Sequence, residues 1–181
     1  DITFLADGTM LVADGLRNTR IVKLDKNGKF LTQWGTKGNG PGQFNGLHGI
    51  DADRNGRVYV ADRGNQRIQV FDENGTFKKQ WSFVPPVNIH FVHIGIDRGI
   101  TVFNNATQHI AKFDLDGHLI YQWGGLAAWP NGLWGPHGIS VDQEGTLYLA
   151  SVSMATPQKF RPRPGANPAF LAGKPVVPVY K

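Results

Sequence analysis

Short runs of β-branched and aromatic residues, each stopped by Gly, Asn or Asp, set the pattern of this chain. In the second of four similar segments "HGIDAD" is a short apolar run, "RVYVAD" follows, "RIQVFD" comes after a polar loop, and "FKKQW" closes the unit. Runs of this composition and length predict four short antiparallel strands. Between the third and fourth of them stand "DKNG", "DENG" and "DLDG" in successive segments. Asn-Gly and Asp-Gly supply the positive φ angles of a tight hairpin turn, so each tetrapeptide predicts a hairpin.

The unit repeats. Asp14, Asp62, Asn104 and Ser151 occupy equivalent places at separations of 48, 42 and 47 residues, near the roughly 40–50 residues of a propeller blade. One such sheet cannot bury both faces alone, whereas radial stacking buries each against the next. The expected fold class is all-β, a β-propeller of four-stranded blades, with four visible at about 1–45, 46–88, 89–133 and 134–160. Trp34, Trp81 and Trp123 end the outer strands at matching places and are expected to pack between neighbouring blades. After Phe160 the last copy decays into a Pro-rich stretch, 161–181, whose prolines forbid a central strand and predict an extended tail or a closing edge. "DITFLAD" reads as an inner strand already under way at residue 1. Repeats of this type usually close at six blades, so the expectation is a segment of a larger ring, with missing N-terminal blades or an oligomer to complete it.

Composition narrows the chemistry. At 181 residues, 40% hydrophobic and 18% charged, the chain suits one turn-rich globular domain. There is no cysteine, which excludes disulfides, thiolate metal sites and thiol nucleophiles. No apolar run approaches the roughly 20 residues of a membrane span, and the first residues carry no signal-peptide pattern. The net charge of +5 comes from Lys and Arg scattered at turns and loop edges, such as Arg54, Arg57, Arg63 and Arg67, so it predicts a solvated surface rather than a nucleic-acid-binding face. No GxSxG, HExxH, phosphate loop or paired carboxylates stand out.

The stretches "ADRGNQRIQVFDENG" and "PGQFNGLHGIDADRNGRVYVAD" resemble NHL repeats, over nearly the whole chain. Within that group, "VADGLRNTRIVKLDKNGKFLTQWG" with "PGQFNGLHGI" and "VYVADRGNQRIQVF" is most similar to the peptidyl-α-hydroxyglycine α-amidating lyases and their bacterial relatives. The resemblance implies an extracellular or periplasmic protein and a zinc ion held by three histidines on alternating blades. His48 and His137 match two of them; the third would lie two blades before His48. Aligning Asp97 with Asp53 and Asp142 puts Val92 at the histidine position of the intervening blade, as alternation requires. Both matched histidines stand just before an inner strand, and such strand starts converge near a propeller axis. The family splits a carbinolamide into an amide and glyoxylate, and is thought to use zinc on the substrate hydroxyl, a tyrosine base and an arginine for the carboxylate. Here Leu16 stands in place of the tyrosine, and leucine can neither carry nor donate a proton. Gly135 replaces a methionine beside the metal ligand, and Gly138 replaces an aspartate that helps hold a structural calcium, so calcium is not expected. Arg17, next to Leu16, is the candidate for an anionic substrate group.

From the residues alone, His48 and His137 keep two roles open, strand-end hydrogen bonding or metal ligation. His90 and His93 are three positions apart, which in an extended strand points them to opposite faces, so they are expected outside the site. Asp14, Asp62, Arg20 and Arg67 recur as repeat consensus and are expected to bond the loop between second and third strands. The favoured function is a propeller that presents a ligand- or protein-binding site for a small peptide or protein at its central channel, with or without zinc. An active zinc-dependent amidating lyase and an RNA-binding NHL module are the alternatives.

Overall fold

The computed structural model describes residues 1–83, 88–126 and 132–174; part of the predicted tail, 175–181, lies outside them. Strands β1 (Ile2–Phe4), β2 (Met10–Asp14), β3 (Arg20–Leu24) and β4 (Phe30–Trp34) form the first antiparallel sheet in sequence order. Two short strands, β5 (Thr36–Lys37) and β6 (Gln43–Phe44), pair in parallel in the connection that follows. The second sheet holds β7 (Leu47–Ala52), β8 (Val58–Asp62), β9 (Arg67–Phe71) and β10 (Phe77–Ser82). The third holds β11 (Ile89–Ile94), β12 (Ile100–Asn104), β13 (His109–Phe113) and β14 (Leu119–Gly124), and the fourth β15 (Pro136–Val141), β16 (Leu147–Ser151) and β17 (Pro157–Phe160). This is a four-blade β-propeller arrangement in which the inner strands β1, β7, β11 and β15 are neighbours in turn.

Successive sheets bury their faces against each other in three apolar cores. Leu11, Ile21, Ile50, Val60 and Phe71 fill the first, between blades 1 and 2. Ile68, Val70, Ile89, Val102 and Phe113 fill the second, and Phe91, Phe103, Leu133 and Leu149 the third. Burial of this kind, at roughly 25 cal/mol per Å² of apolar surface, is the main attraction between sheets that no strand ladder joins. The three tryptophans stand where expected. Trp34 lies 6.3 Å from Phe71 of the next blade, and Trp123 lies 5.0 Å from Phe160.

Each hairpin turn rests on an aspartate. Asp25, Asp72 and Asp114 accept hydrogen bonds from the backbone two and four residues ahead, and Gly28, Gly75 and Gly117 follow with φ of 84°, 87° and 92°. Only the glycine takes positive φ; Asn27, Asn74 and Asp116 do not, so these are type I turns closed by a left-handed glycine. Gly75 is doubly constrained, because a Cβ there would come within 2.6 Å of the Trp34 ring, while at Gly28 it would meet nothing within 4 Å. Alanine at either position carries the same backbone strain. Gly75→Ala should therefore destabilise the protein by about 1 kcal/mol or more beyond Gly28→Ala, since the Trp34 contact must also give way. Urea unfolding of the two variants measures the difference, and equal midpoints would remove the Trp34 contact from the account.

Beyond β17 the chain leaves its own blade. Asn167 caps a short 3-10 turn at Pro168–Phe170, Phe170 stacks on Tyr121 at 4.6 Å, and the Ile96 amide donates to the Lys174 carbonyl. The buried Lys112 ammonium donates to the Asp97 carboxylate and to the Leu171 carbonyl, fixing the tail against the third blade.

Candidate functional site

The strand ladders decide which residues correspond between blades. Leu47 pairs with Asp62, Ile89 with Asn104 and Pro136 with Ser151. Each inner strand then shifts register, and the ladders end on Ala52–Val58, Ile94–Ile100 and Val141–Leu147. Four positions back from Ala52, Ile94 and Val141 stand His48, His90 and His137. The third blade thus presents a histidine too, and Val92 corresponds to Ile50 rather than to His48.

Two physical features defeat the sequence alignment. The turn opened by Asp53 in blade 2, where the Gly56 amide donates to the Asp53 carbonyl, is opened in blade 3 by Gly95, to whose carbonyl the Arg98 amide donates. Asp97 is two residues into that turn, and anchoring on it slides the blade by two. The register shift between Ile89 and Val92 is a bulge, which interrupts the simple alternation that separates His90 from His93. A usable signal was present: His48 precedes Asp62, His90 precedes Asn104 and His137 precedes Ser151 by the same 14 residues.

The three rings meet. Their centroids lie 4.7 Å apart for His48 and His137, 4.8 Å for His90 and His137, and 5.1 Å for His48 and His90. They line a cleft of about 280 Å³ together with Asp1, Phe91, Gly138 and Ile139. His48 Nδ1 lies 2.5 Å from the His90 carbonyl oxygen; donating there, it leaves Nε2 free. That contact is the strand-end hydrogen bond expected of an ordinary histidine, and it is also how a metal-ligating histidine fixes its tautomer. His90 Nδ1 is buried with no partner. Burial, then the neighbouring histidines His48 and His137, pushes the His90 imidazole down to about 4, and burial holds His48 below the ordinary histidine value. Both rings are therefore neutral at pH 7, the form that binds a metal.

Asp1 buttresses the cleft by accepting the Ile50 amide at 3.0 Å. One level deeper stand Thr3, Asp51, His93 and Ser140, which correspond by register. Thr3 donates to Asp51 at 2.8 Å, the Ile94 amide donates to it at 2.7 Å, and His93 Nδ1 approaches it to 3.6 Å. His93 is thus tied to the polar wall below the three rings rather than being one of them.

As the rings stand, no group of three or more His, Cys, Asp or Glu among the described residues is arranged to hold a metal ion. His48 and His90 lie nearly parallel, at 23°, instead of aiming at a common point. The donor set nevertheless suits a divalent cation: neutral imidazoles, one nitrogen already oriented by a carbonyl, and one buried nitrogen without a partner.

Leu16 and Arg17 are exposed in the turn between β2 and β3. The backbone at Gly15 abuts the Leu47 carbonyl, so close that a Cβ would lie 2.2 Å from it, which sets this turn beside the strand that carries His48. A cation whose charge reaches the rings is a different residue, missed in the sequence as a mere turn residue. Half-buried Arg63, in the 3-10 turn Arg63–Asn65 after β8, lowers both His48 and His90 through its charge. Larger clefts, of about 490 and 450 Å³, lie where the tail crosses blades 3 and 4, away from these groups.

Repeated antiparallel sheets around a shared axis, with equivalent inner-strand residues converging on it, define a β-propeller. The NHL repeat family model matches residues 44–71, and the chain is an NHL-repeat β-propeller that resembles the amidating lyases. It is 30% identical over 190 residues to NHL repeat-containing protein 3 of Mus musculus, covering 93% of this chain and 49% of that protein. It is also 43% identical over 79 residues to peptidyl-glycine alpha-amidating monooxygenase A of Xenopus laevis, covering 40% of this chain and 8% of that protein. The chain spans about half the length of the NHL relative that it matches along most of its residues. Among solved structures a streptogramin B lyase superposes with a TM-score of 0.63 at 19% identity over 92% of this chain and 56% of that one, a likeness of fold. No helix among the described residues is long and apolar enough to cross a membrane.

Proposed function

We propose that this propeller binds a small peptide or protein ligand at the axial end of its inner strands, through a zinc ion held by His48 and His137, and does not catalyse the amidating-lyase reaction. The observation that carries the reading is the 4.7 Å separation of the two rings, which lets residues from two non-adjacent blades act on one atom. Bound zinc would supply an open coordination position that polarises a ligand oxygen. The chain's own residues do the rest. The His90 carbonyl orients His48, and Arg63 and the exposed Arg17 offer positive charge to a ligand carboxylate. Leu16 provides no group to move a proton, so turnover is not expected.

Equilibrium dialysis against zinc tests this. The purified protein should hold one zinc per chain, and His48→Ala or His137→Ala should each reduce affinity at least about tenfold, as even loss of a ligand's outer partner does. Incubation of the zinc-loaded protein with a peptidyl-α-hydroxyglycine should release no glyoxylate above the uncatalysed rate. Steady glyoxylate release would establish the lyase reading instead, and failure to retain zinc would remove the metal.

A further inference from the structure

We infer that His90, from the blade between those of His48 and His137, is the third protein ligand of this ion, so that three consecutive blades rather than alternate ones build the site. The inference rests on the metal reading above and adds a residue to it. His90 occupies the same register position as the other two, at the same bulge of its inner strand. The separations of all three rings, 4.7, 4.8 and 5.1 Å, match the requirement of one ion. Three imidazoles on a tetrahedral zinc with Zn–N of about 2.0–2.1 Å place their ring centroids roughly 5 Å apart.

The state of the nitrogens points the same way. His90 is 8% exposed, and its Nδ1 is buried without a hydrogen-bond partner. Leaving a buried polar atom unmet costs stability, which a ligand bond would relieve. The 23° stacking of His48 on His90 has to open for their nitrogens to converge, and rotation about χ2 of histidine is a soft, broad torsion. A fourth position stays open toward the cleft.

Cobalt(II) substitution tests the assignment independently of any activity. Wild-type protein should give the intense visible bands of a four-coordinate site. His90→Ala and the bulkier His90→Gln should each weaken zinc binding at least about tenfold and change the cobalt spectrum, while keeping the wild-type circular dichroism. His118→Ala, on an exposed hairpin, should match wild type in every readout. Unchanged zinc affinity and cobalt spectrum in folded His90 variants, with binding lost in His48→Ala and His137→Ala, would overturn the role of His90 and leave the metal reading standing. Absence of binding in wild type would overturn both.

Discussion

Arg67→Met should destabilise the propeller by about 3–5 kcal/mol, the cost of breaking a buried ion pair from one side. Asp62 is fully buried and Arg67 is 4% exposed. Arg67 Nε donates to Asp62 at 2.7 Å, and its other nitrogens reach the carbonyls of Asn39, Gly40 and Gln43 and the Gln80 side chain. Methionine preserves the apolar stem but leaves the Asn39 carbonyl without a donor and the Asp62 carboxylate short of its cation, while the Gly40 and Gln43 carbonyls keep only the Gln43 amide and the Gln69 side chain. The equivalent pair in blade 1, Asp14 and Arg20, has side chains 30% and 40% exposed, so Arg20→Met should cost at most about 1 kcal/mol. Urea midpoints at constant m value separate the two; comparable losses would show that burial is not what distinguishes them.

Lys112→Met should cost about 2–3 kcal/mol and free the tail. The lysine is 3% exposed, yet its partner Asp97 keeps 35% of its side chain in contact with solvent and can turn to water, which keeps the loss below that at Arg67. The distinguishing signal is local. Hydrogen exchange at 168–174 should accelerate in Lys112→Met, because the Leu171 carbonyl loses its anchor and the Ile96–Lys174 bond loses its support. In Arg67→Met the same segment should stay protected under native conditions. An unchanged tail in Lys112→Met would mean that the Tyr121–Phe170 stack holds it without the lysine.

The architecture was legible because its determinants are local: alternating strands, Asp-x-x-Gly turns and a repeat marked by Asp14, Asp62 and Asn104 all act within a few residues. Half of the site was legible in the same way, since His48 and His137 sit in octapeptides that share five residues, "GLHGIDAD" and "GPHGISVD". His90 escaped because "NIHFVHIGID" shares no flanking glycine with them and because Asp97 imitates a turn residue that blade 3 replaces with Gly95. Strand register is fixed by pairing with β12, which makes Ile89 the counterpart of Leu47; in the sequence only the common spacing to Asp62 and Asn104 marks it. Arg63 was hidden for a related reason: as a consensus turn residue it carries no mark of the rings that its charge reaches. The tail's path is set by Lys112 and Tyr121, neither of which is near it in sequence.

The bulge shared by β7, β11 and β15 separates two kinds of selection. The three interblade cores draw on neighbours of the histidines such as Leu47, Ile89 and Phe91, while the three imidazoles face one another at the cleft, His90 also standing 6.1 Å from Phe103 of the third core. A wheel made this way can exchange one axial side chain per spoke and retune what it captures, with little effect on whether it stands.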